Sequence, residues 1–133
     1  MAAYVTDTHA LIYFASGDLR RLSVRALRIF RRAEADRDRV HVPVVCFFEL
    51  ALVLERGRVR SRLSFDEWRM RIAAHPGLPI EPLLWEDVRE ARGLAALVDP
   101  FDRLIAATAV RLDAPLITSD GRIRESRLLR SVW

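Results

Sequence analysis

The sequence predicts an α/β domain in which helices flank a central parallel sheet. Short β-rich runs alternate with helical stretches along the chain, and this alternation is typical of a parallel sheet. The length of 133 residues suits one domain, and a hydrophobic fraction of 51% is sufficient for one core. Since no repeat, low-complexity stretch or linker divides the chain, we expect a single domain over residues 1–133.

The first strand and the first two helices are predicted before residue 40. Ala3–Thr6 is rich in β-formers, and the apolar helical stretch Ala10–Ala15 follows it and ends before Gly17. A second helix is predicted from Ser23, a residue type suited to an N-cap. Apolar residues recur along that helix among arginines, and we expect this stripe to face the core: Val24, Leu27, Phe30 and Ala33.

A second predicted strand, Val40–Pro43, leads directly into the most apolar stretch of the chain. Val44–Leu54 is almost wholly apolar and stops before Gly57, a residue that often follows the end of a helix. Ser64 and Glu67 have the spacing of a capping box, so another helix is predicted from there.

The alternation continues through the second half of the chain. The turn His75–Pro79 precedes a weak strand, Ile80–Leu83, which its proline limits. Helices are predicted over Glu86–Leu97 and Phe101–Leu112, and a buried strand over Ala114–Thr118. Because chemistry on parallel sheets gathers at the carboxyl ends of strands, the residues that follow the strands are the first site candidates.

The composition excludes several classes of enzyme and site. All 22 basic residues are arginine, so the lysine that P-loop enzymes, receiver domains and dehalogenase-type phosphatases need is missing. The single cysteine, Cys46, cannot form an internal disulfide or a cysteine metal site. No apolar run could span a membrane and no signal peptide is evident, so we expect a cytoplasmic protein without a membrane partner. The net charge of +4 suits a polyanionic partner.

Acidic residues follow two of the predicted strands. Asp7 comes directly after the first strand, and Asp120 stands two residues after the last. Either aspartate alone is explained by a turn or a helix cap. If their strands are adjacent and parallel, both side chains enter one crevice.

Glu49 is the one charged residue between His41 and Glu55. An acid in a helix that is apolar on nearly every face is partly buried, and an unpaired buried charge costs several kcal/mol. A partner arginine is one possible compensation, and a metal ion is the one we favour.

Two more acids begin the helix that carries Phe101. Asp99 suits the N-cap of that helix, with Pro100 in its first turn. Asp102 cannot also be the cap, and one turn later it points roughly the same way as Asp99. Two carboxylates about 5 Å apart repel by about 3 kcal/mol, so four acids in one pocket require a cation. An all-oxygen site favours Mg²⁺ or Mn²⁺, the ions typical of phosphodiester hydrolysis.

With these acids in these positions, the sequence resembles the PIN-domain family, and within it the VapC-type toxin ribonucleases of bacterial toxin–antitoxin pairs. The resemblance runs from residue 4 to about residue 124, and four stretches carry it: Tyr4–Ile12, Glu49–Glu55 with Gly57, Asp99–Ala109, and Ala114–Asp120. It departs from the family at Val44–Phe48, where relatives often have a serine, so a side-chain cap is in doubt there.

The resemblance implies a PIN-like three-layer fold, usually found as a homodimer, and a metal-dependent endoribonuclease whose partners are RNA and a cognate antitoxin. It assigns catalysis and Mg²⁺ or Mn²⁺ binding to four acids: Asp7, Glu49, Asp102 and Asp120. Asp99 matches an extra acid of the subgroup, either a ligand or a cap. Thr118 and Ser119 fall where the family often has a hydroxyl near the metal.

Three interpretations remain open from sequence alone. Arg103 either binds RNA phosphates or pairs with Asp99 or Glu49. His9 is interpreted as structural, with a role as an acid the alternative. A housekeeping RNA-processing nuclease and a non-catalytic RNA- or protein-binding module are the alternatives to a toxin.

Overall fold

The computed structural model describes all 133 residues, and its centre is a five-stranded parallel sheet. The strands are β1 (Ala3–Thr6), β2 (Arg39–Pro43), β3 (Ile80–Glu81), β4 (Leu116–Ile117) and β5 (Ser131–Val132). Their order in the sheet is β3-β2-β1-β4-β5, and every pair of neighbours is parallel. The predicted α/β class is therefore confirmed.

Seven α-helices flank the sheet. They are α1 (Thr8–Ser16), α2 (Val24–Glu34), α3 (Val44–Glu55), α4 (Phe65–Ala73), α5 (Trp85–Arg92), α6 (Pro100–Arg111) and α7 (Gly121–Glu125), with a 3₁₀ turn at Leu19–Arg21. None of these helices combines the length and the apolar character that crossing a membrane requires.

The two strands that end at predicted acids are neighbours. Thr6 of β1 is in register with Ile117 of β4, and the Asp7 N–H donates to the Ile117 carbonyl at 3.1 Å. Asp7 and Asp120 therefore leave the sheet at the same edge, as the sequence predicted.

The core places α6 close to the sheet. Thirty buried hydrophobic residues form one cluster, and its central strand residues Val5, Val40 and Leu116 are fully buried. Three of the five buried residues of α6 are alanines, which lets the helix approach β1 and α3 closely: Ala106, Ala107 and Ala109.

Two arginines hold α6 against the segment before it. Arg111, in its last turn, makes a two-pronged ion pair with the buried Asp87 of α5, at 2.6 and 3.2 Å. Arg103, near the start of α6, donates from Nε to the Leu97 carbonyl at 2.5 Å. Since α6 carries Asp99 and Asp102 at its N-terminus, these contacts fix the position of both acids.

The predicted helix caps are present. The Ser23 hydroxyl accepts the Ala26 N–H at 3.0 Å, and Ser64 and Glu67 form both bonds of a capping box. Pro43, at the start of α3, makes no side-chain cap, in agreement with the departure from the family pattern there.

Several predicted boundaries are wrong. Helix α5 ends at Arg92 instead of Leu97, because Gly93, a weak helix former, is followed by turns. Val24 is 77% exposed, and the buried stripe of α2 is instead Ala26, Ile29, Phe30 and Ala33. Helix α7 and strand β5 were not predicted, because five- and two-residue elements carry too little periodicity to detect.

Candidate active site

A cavity of about 250 Å³ lies where β1 and β4 end. Its wall contains the four predicted acids and Asp99, and most of its lining is polar: Asp7, His9, Tyr13, Glu49, Asp99, Asp102, Ser119 and Asp120. The fold therefore brings together acids that are as many as 113 positions apart in the sequence.

Asp7 is both the N-cap of α1 and part of the cavity wall. Its side chain is almost fully buried, and its Oδ1 accepts the Ala10 N–H at 2.8 Å. Burial raises the pKa of Asp7, while the Thr118 hydroxyl and the Ala10 N–H partly offset that rise. The bond from the Ala10 N–H uses Oδ1 as the cap of α1 and orients this carboxylate in the cavity wall.

Asp99 and Asp120 also cap helices that begin at the cavity. The Asp99 Oδ1 accepts the N–H groups of Phe101 and Asp102 at 2.8 and 3.1 Å. The Asp120 Oδ1 accepts the Arg122 N–H at 2.8 Å. In each carboxylate these bonds stabilise the charge and leave Oδ2 without a partner in the protein.

Glu49 extends from α3 into the cavity and is half-buried, as predicted. The Thr8 hydroxyl donates to its Oε1 at 2.5 Å, and none of the ion pairs in the structure includes Glu49. The alternative of a partner arginine is therefore wrong. Thr8 was missed from sequence because its contact spans 41 positions.

Asp102 is the acid that receives no hydrogen bond to its side chain. Its pKa is raised to about 7, first by burial and then by the charges of Asp99, Glu49, Asp120 and Asp7. Without a cation, both the protonated and the ionised forms of Asp102 are therefore present near neutral pH.

No arginine forms an ion pair with these acids. All eight ion pairs lie elsewhere, and Arg103 directs its guanidinium to the carbonyls of Leu97 and Ala95, at 2.5 and 3.4 Å. The suggested pairing of Arg103 with Asp99 or Glu49 is therefore wrong. As they stand, no three acids converge on one point at metal-binding distance, and the carboxylates line the cavity instead.

The two hydroxyl residues after β4 occupy different positions. Thr118 is fully buried, and its Oγ1 accepts the Asp120 N–H at 3.1 Å. Ser119 is exposed on the cavity wall. Thr118 therefore supports Asp7 and Asp120 from beneath, whereas Ser119 is accessible from the cavity. His9, interpreted as structural, also lies on the wall.

A second cavity, of about 280 Å³, lies beside α1, α2 and α4. It contains apolar side chains such as Leu11 and Phe14 and a single carboxylate, Glu34, which pairs with Arg31 at 3.0 Å. It has no cluster of carboxylates to support metal-dependent hydrolysis, so we assign the chemistry to the smaller, acidic cavity.

The fold and the acidic cavity together define a class of protein. A parallel α/β sheet with acids at the carboxyl ends of its strands is the arrangement of a PIN domain, and the PIN domain family model matches residues 4–127. The chain belongs to the PIN-domain family.

Within that family the chain is of the VapC type. It is 31% identical over 138 aligned residues to Ribonuclease VapC22 of Mycobacterium tuberculosis, and the alignment covers 100% of both proteins. Its fold is similar to that of DNA-bound VapBC from Salmonella typhimurium, with a TM-score of 0.68 and 14% identity over 99% of this chain and 98% of that one. VapBC2 from Rickettsia felis, bound to a promoter DNA fragment, has a TM-score of 0.67 and 15% identity over 98% and 97%.

Proposed function

We propose that this protein is an Mg²⁺- or Mn²⁺-dependent endoribonuclease and the toxin of a toxin–antitoxin pair. The observation that carries the proposal is the acidic cavity, which five carboxylates line and in which none of them forms an ion pair. Such a concentration of charge is stable at neutral pH only with protons or a bound cation.

The residues fit a hard divalent ion. Five of the eight residues that line the cavity are carboxylates, and sites rich in carboxylate oxygen favour Mg²⁺ or Mn²⁺ over Zn²⁺. We assign direct ligation to Asp7 and Asp102, and direct or water-mediated contact to Glu49 and Asp120. Asp99, whose Oδ1 already accepts two backbone N–H groups, is assigned to the cap and to the edge of the site. When bound, the ion supplies an activated water and offsets charge on the phosphate.

The protein's own contribution is to hold these oxygens in place. The Ala10 N–H fixes Asp7, the Arg122 N–H fixes Asp120, and the Thr8 hydroxyl fixes Glu49. These hydrogen bonds limit how far the three carboxylates move when they close on an ion, and such preorganisation is a major source of enzymatic rate enhancement. Ser119, exposed at the wall, is placed to donate to a phosphate oxygen.

RNA is the substrate that best fits the surface charge around this cavity. The chain carries a net charge of +4 although the cavity is acidic, so the excess of arginine lies outside it. Arg122 is exposed two residues after Asp120 and has no side-chain partner in the protein, so it is the nearest candidate for a phosphate contact. Arg103 already donates to the carbonyls of Leu97 and Ala95, so it can contact a phosphate only through its remaining N–H groups.

The toxin role rests on the relatives. The full-length curated relative is a ribonuclease of the VapC series, and solved neighbours include VapBC complexes and a toxin–antitoxin complex from Klebsiella pneumoniae. We therefore propose an antitoxin as the protein partner, a homodimer as the assembly and the cytoplasm as the location.

The direct test is incubation of the purified protein and its Asp7→Asn variant with total RNA in Mg²⁺ or Mn²⁺, with the product ends mapped. We expect the wild type to cut at internal sites. Each 1.4 kcal/mol or so lost from the transition state slows a reaction about tenfold, so loss of a metal ligand should slow Asp7→Asn by about 10²-fold or more.

The matched control is Asp66→Asn, because Asp66 is exposed on α4 and makes no side-chain contact. It should cut like the wild type. If Asp7→Asn retains the full rate, the assignment of this cavity is wrong.

A further inference from the structure

One wall of the acidic cavity is aromatic. His9 and Tyr13 lie four positions apart on α1, so both project from one face of that helix. Both line the cavity, and their ring centroids are 6.4 Å apart with an angle of 51° between the planes.

Arg21 contacts Tyr13 without itself lining the cavity. Its guanidinium carbon lies 5.5 Å from the centroid of the Tyr13 ring, in cation–π contact. The Arg21 side chain is 65% exposed, and its ion pair with Asp18, at 3.1 Å, is a surface pair that contributes little stability. Tyr13 thus neighbours both His9 and Arg21, and we call these three planar groups the planar row.

Core packing accounts for only part of the planar row, because Tyr13 packs against the core while only half-buried and His9 is exposed. The core-facing residues of α1 are Leu11 and Ile12, which are nearly fully buried, whereas His9 is exposed and Tyr13 is only half-buried. The Tyr13 hydroxyl has no hydrogen-bond partner in the protein, although the polar atoms of the interior are all satisfied. The rings of His9 and Tyr13 therefore remain accessible at the edge of a cavity whose other lining is polar.

We propose that the planar row is a nucleotide-stacking subsite, in which a base next to the scissile phosphate stacks on His9 and Tyr13. This inference rests on the proposed ribonuclease function and adds to it the means of holding the substrate. Single-stranded RNA is bound chiefly by stacking of unpaired bases on tyrosine, histidine and arginine planes.

The charge distribution supports the same assignment. The carboxylates repel every phosphate of the strand, so the attraction that holds RNA at the cavity must come from its edge. Stacking supplies attraction that does not depend on charge, and Arg21 at the outer end of the planar row adds a cation for the next phosphate. Because the bases of a duplex are already stacked on one another, the subsite selects single-stranded RNA.

The test is binding of a labelled single-stranded RNA in EDTA at low salt, followed by fluorescence anisotropy, so that no cleavage interferes. Base–aromatic stacking is worth about 1–3 kcal/mol, so Tyr13→Leu should weaken binding by about 5- to 100-fold. Tyr13→Phe keeps the ring and should bind within about twofold of wild type. His9→Leu changes an exposed residue, so it remains informative if Tyr13→Leu does not fold.

An RNA with one abasic position separates stacking from other contacts. If the planar row stacks a base, one abasic position should weaken wild-type binding and leave binding by Tyr13→Leu nearly unchanged. Wild-type affinity in both folded leucine variants, or equal losses for intact and abasic RNA, would overturn the subsite. The test distinguishes failure of the subsite from failure of the proposed function. If binding needs Tyr13 but no cleavage follows the addition of Mn²⁺, the proposed ribonuclease activity is wrong and the stacking subsite stands. If the protein cleaves RNA but binding does not depend on the planar row, the subsite is wrong and the ribonuclease activity stands.

Discussion

Production of this chain alone in a bacterial host is expected to stop growth, and Asp7→Asn is expected to restore it. The physical reason is that hydrolysis of RNA at the acidic cavity, and not RNA binding, would do the damage. The variant keeps the arginines that we propose contact RNA and loses one carboxylate of the cavity. Growth curves and viable counts after induction, at protein levels matched by immunoblotting, measure the effect.

Asp66→Asn is the control for this experiment and should arrest growth like the wild type. Co-expression of an antitoxin should also restore growth and give a stable complex. A complex formed by a helix in an apolar groove should survive moderate salt. RNA affinity, by contrast, should fall by about 0.7 log units per phosphate contact for each tenfold rise in salt. Arrest that persists in Asp7→Asn would point to a binding module instead.

Asp102→Asn is expected to abolish cleavage and yet to stabilise the metal-free protein. In the folded chain the pKa of Asp102 is raised to about 7 by burial and by the neighbouring acids, against an ordinary value of 3.8. At pH 8 the wild type must hold this carboxylate ionised among four others. Allowing for its partial access to solvent, removal of the charge should raise the free energy of unfolding by about 2 kcal/mol.

The sign of the pH dependence follows from the same values. Between pH 4 and pH 7 the folded state keeps a proton on Asp102 that the unfolded state has lost, so stability in EDTA falls as the pH rises through this range. Thermal melts of both proteins in EDTA at pH 5 and pH 8 check this. The advantage of Asp102→Asn should be small at pH 5 and large at pH 8. A variant less stable than wild type at pH 8 would contradict the account.

Most of the fold was predictable because local rules and tertiary packing agree. Ser23 and Ser64 cap helices as their types and spacing indicate, and the apolar stretch that contains Glu49 is a helix. The errors lie where tertiary contacts decide. The segment after Gly93 is held by the Arg103 guanidinium through the carbonyls of Ala95 and Leu97, a contact that no local pattern records.

The acids of the site were predictable and their supporting contacts were not. Asp7 and Asp120 follow strands, and Glu49 stands alone in an apolar helix, so their chemistry is visible in the sequence. Thr8, however, donates across 41 positions to Glu49, and the side chain of Tyr13 reaches the cavity only because of how α1 packs. The three caps Asp7, Asp99 and Asp120 show that a structural and a functional reading can both hold for one residue, since each uses Oδ1 for the helix.

The central claim is that RNA is hydrolysed in the acidic cavity with a divalent ion, and one titration tests it most directly. Initial rates of RNA cleavage and the melting temperature are measured on the same metal-free protein as Mn²⁺ is added. An ion that binds only the folded state stabilises it by about 2.7 kcal/mol at 100 times its Kd, which for a domain of this size is a rise of about 10 °C. We predict no cleavage in EDTA, and a rate and a melting temperature that rise with the same midpoint. Cleavage at an undiminished rate in EDTA would contradict the account.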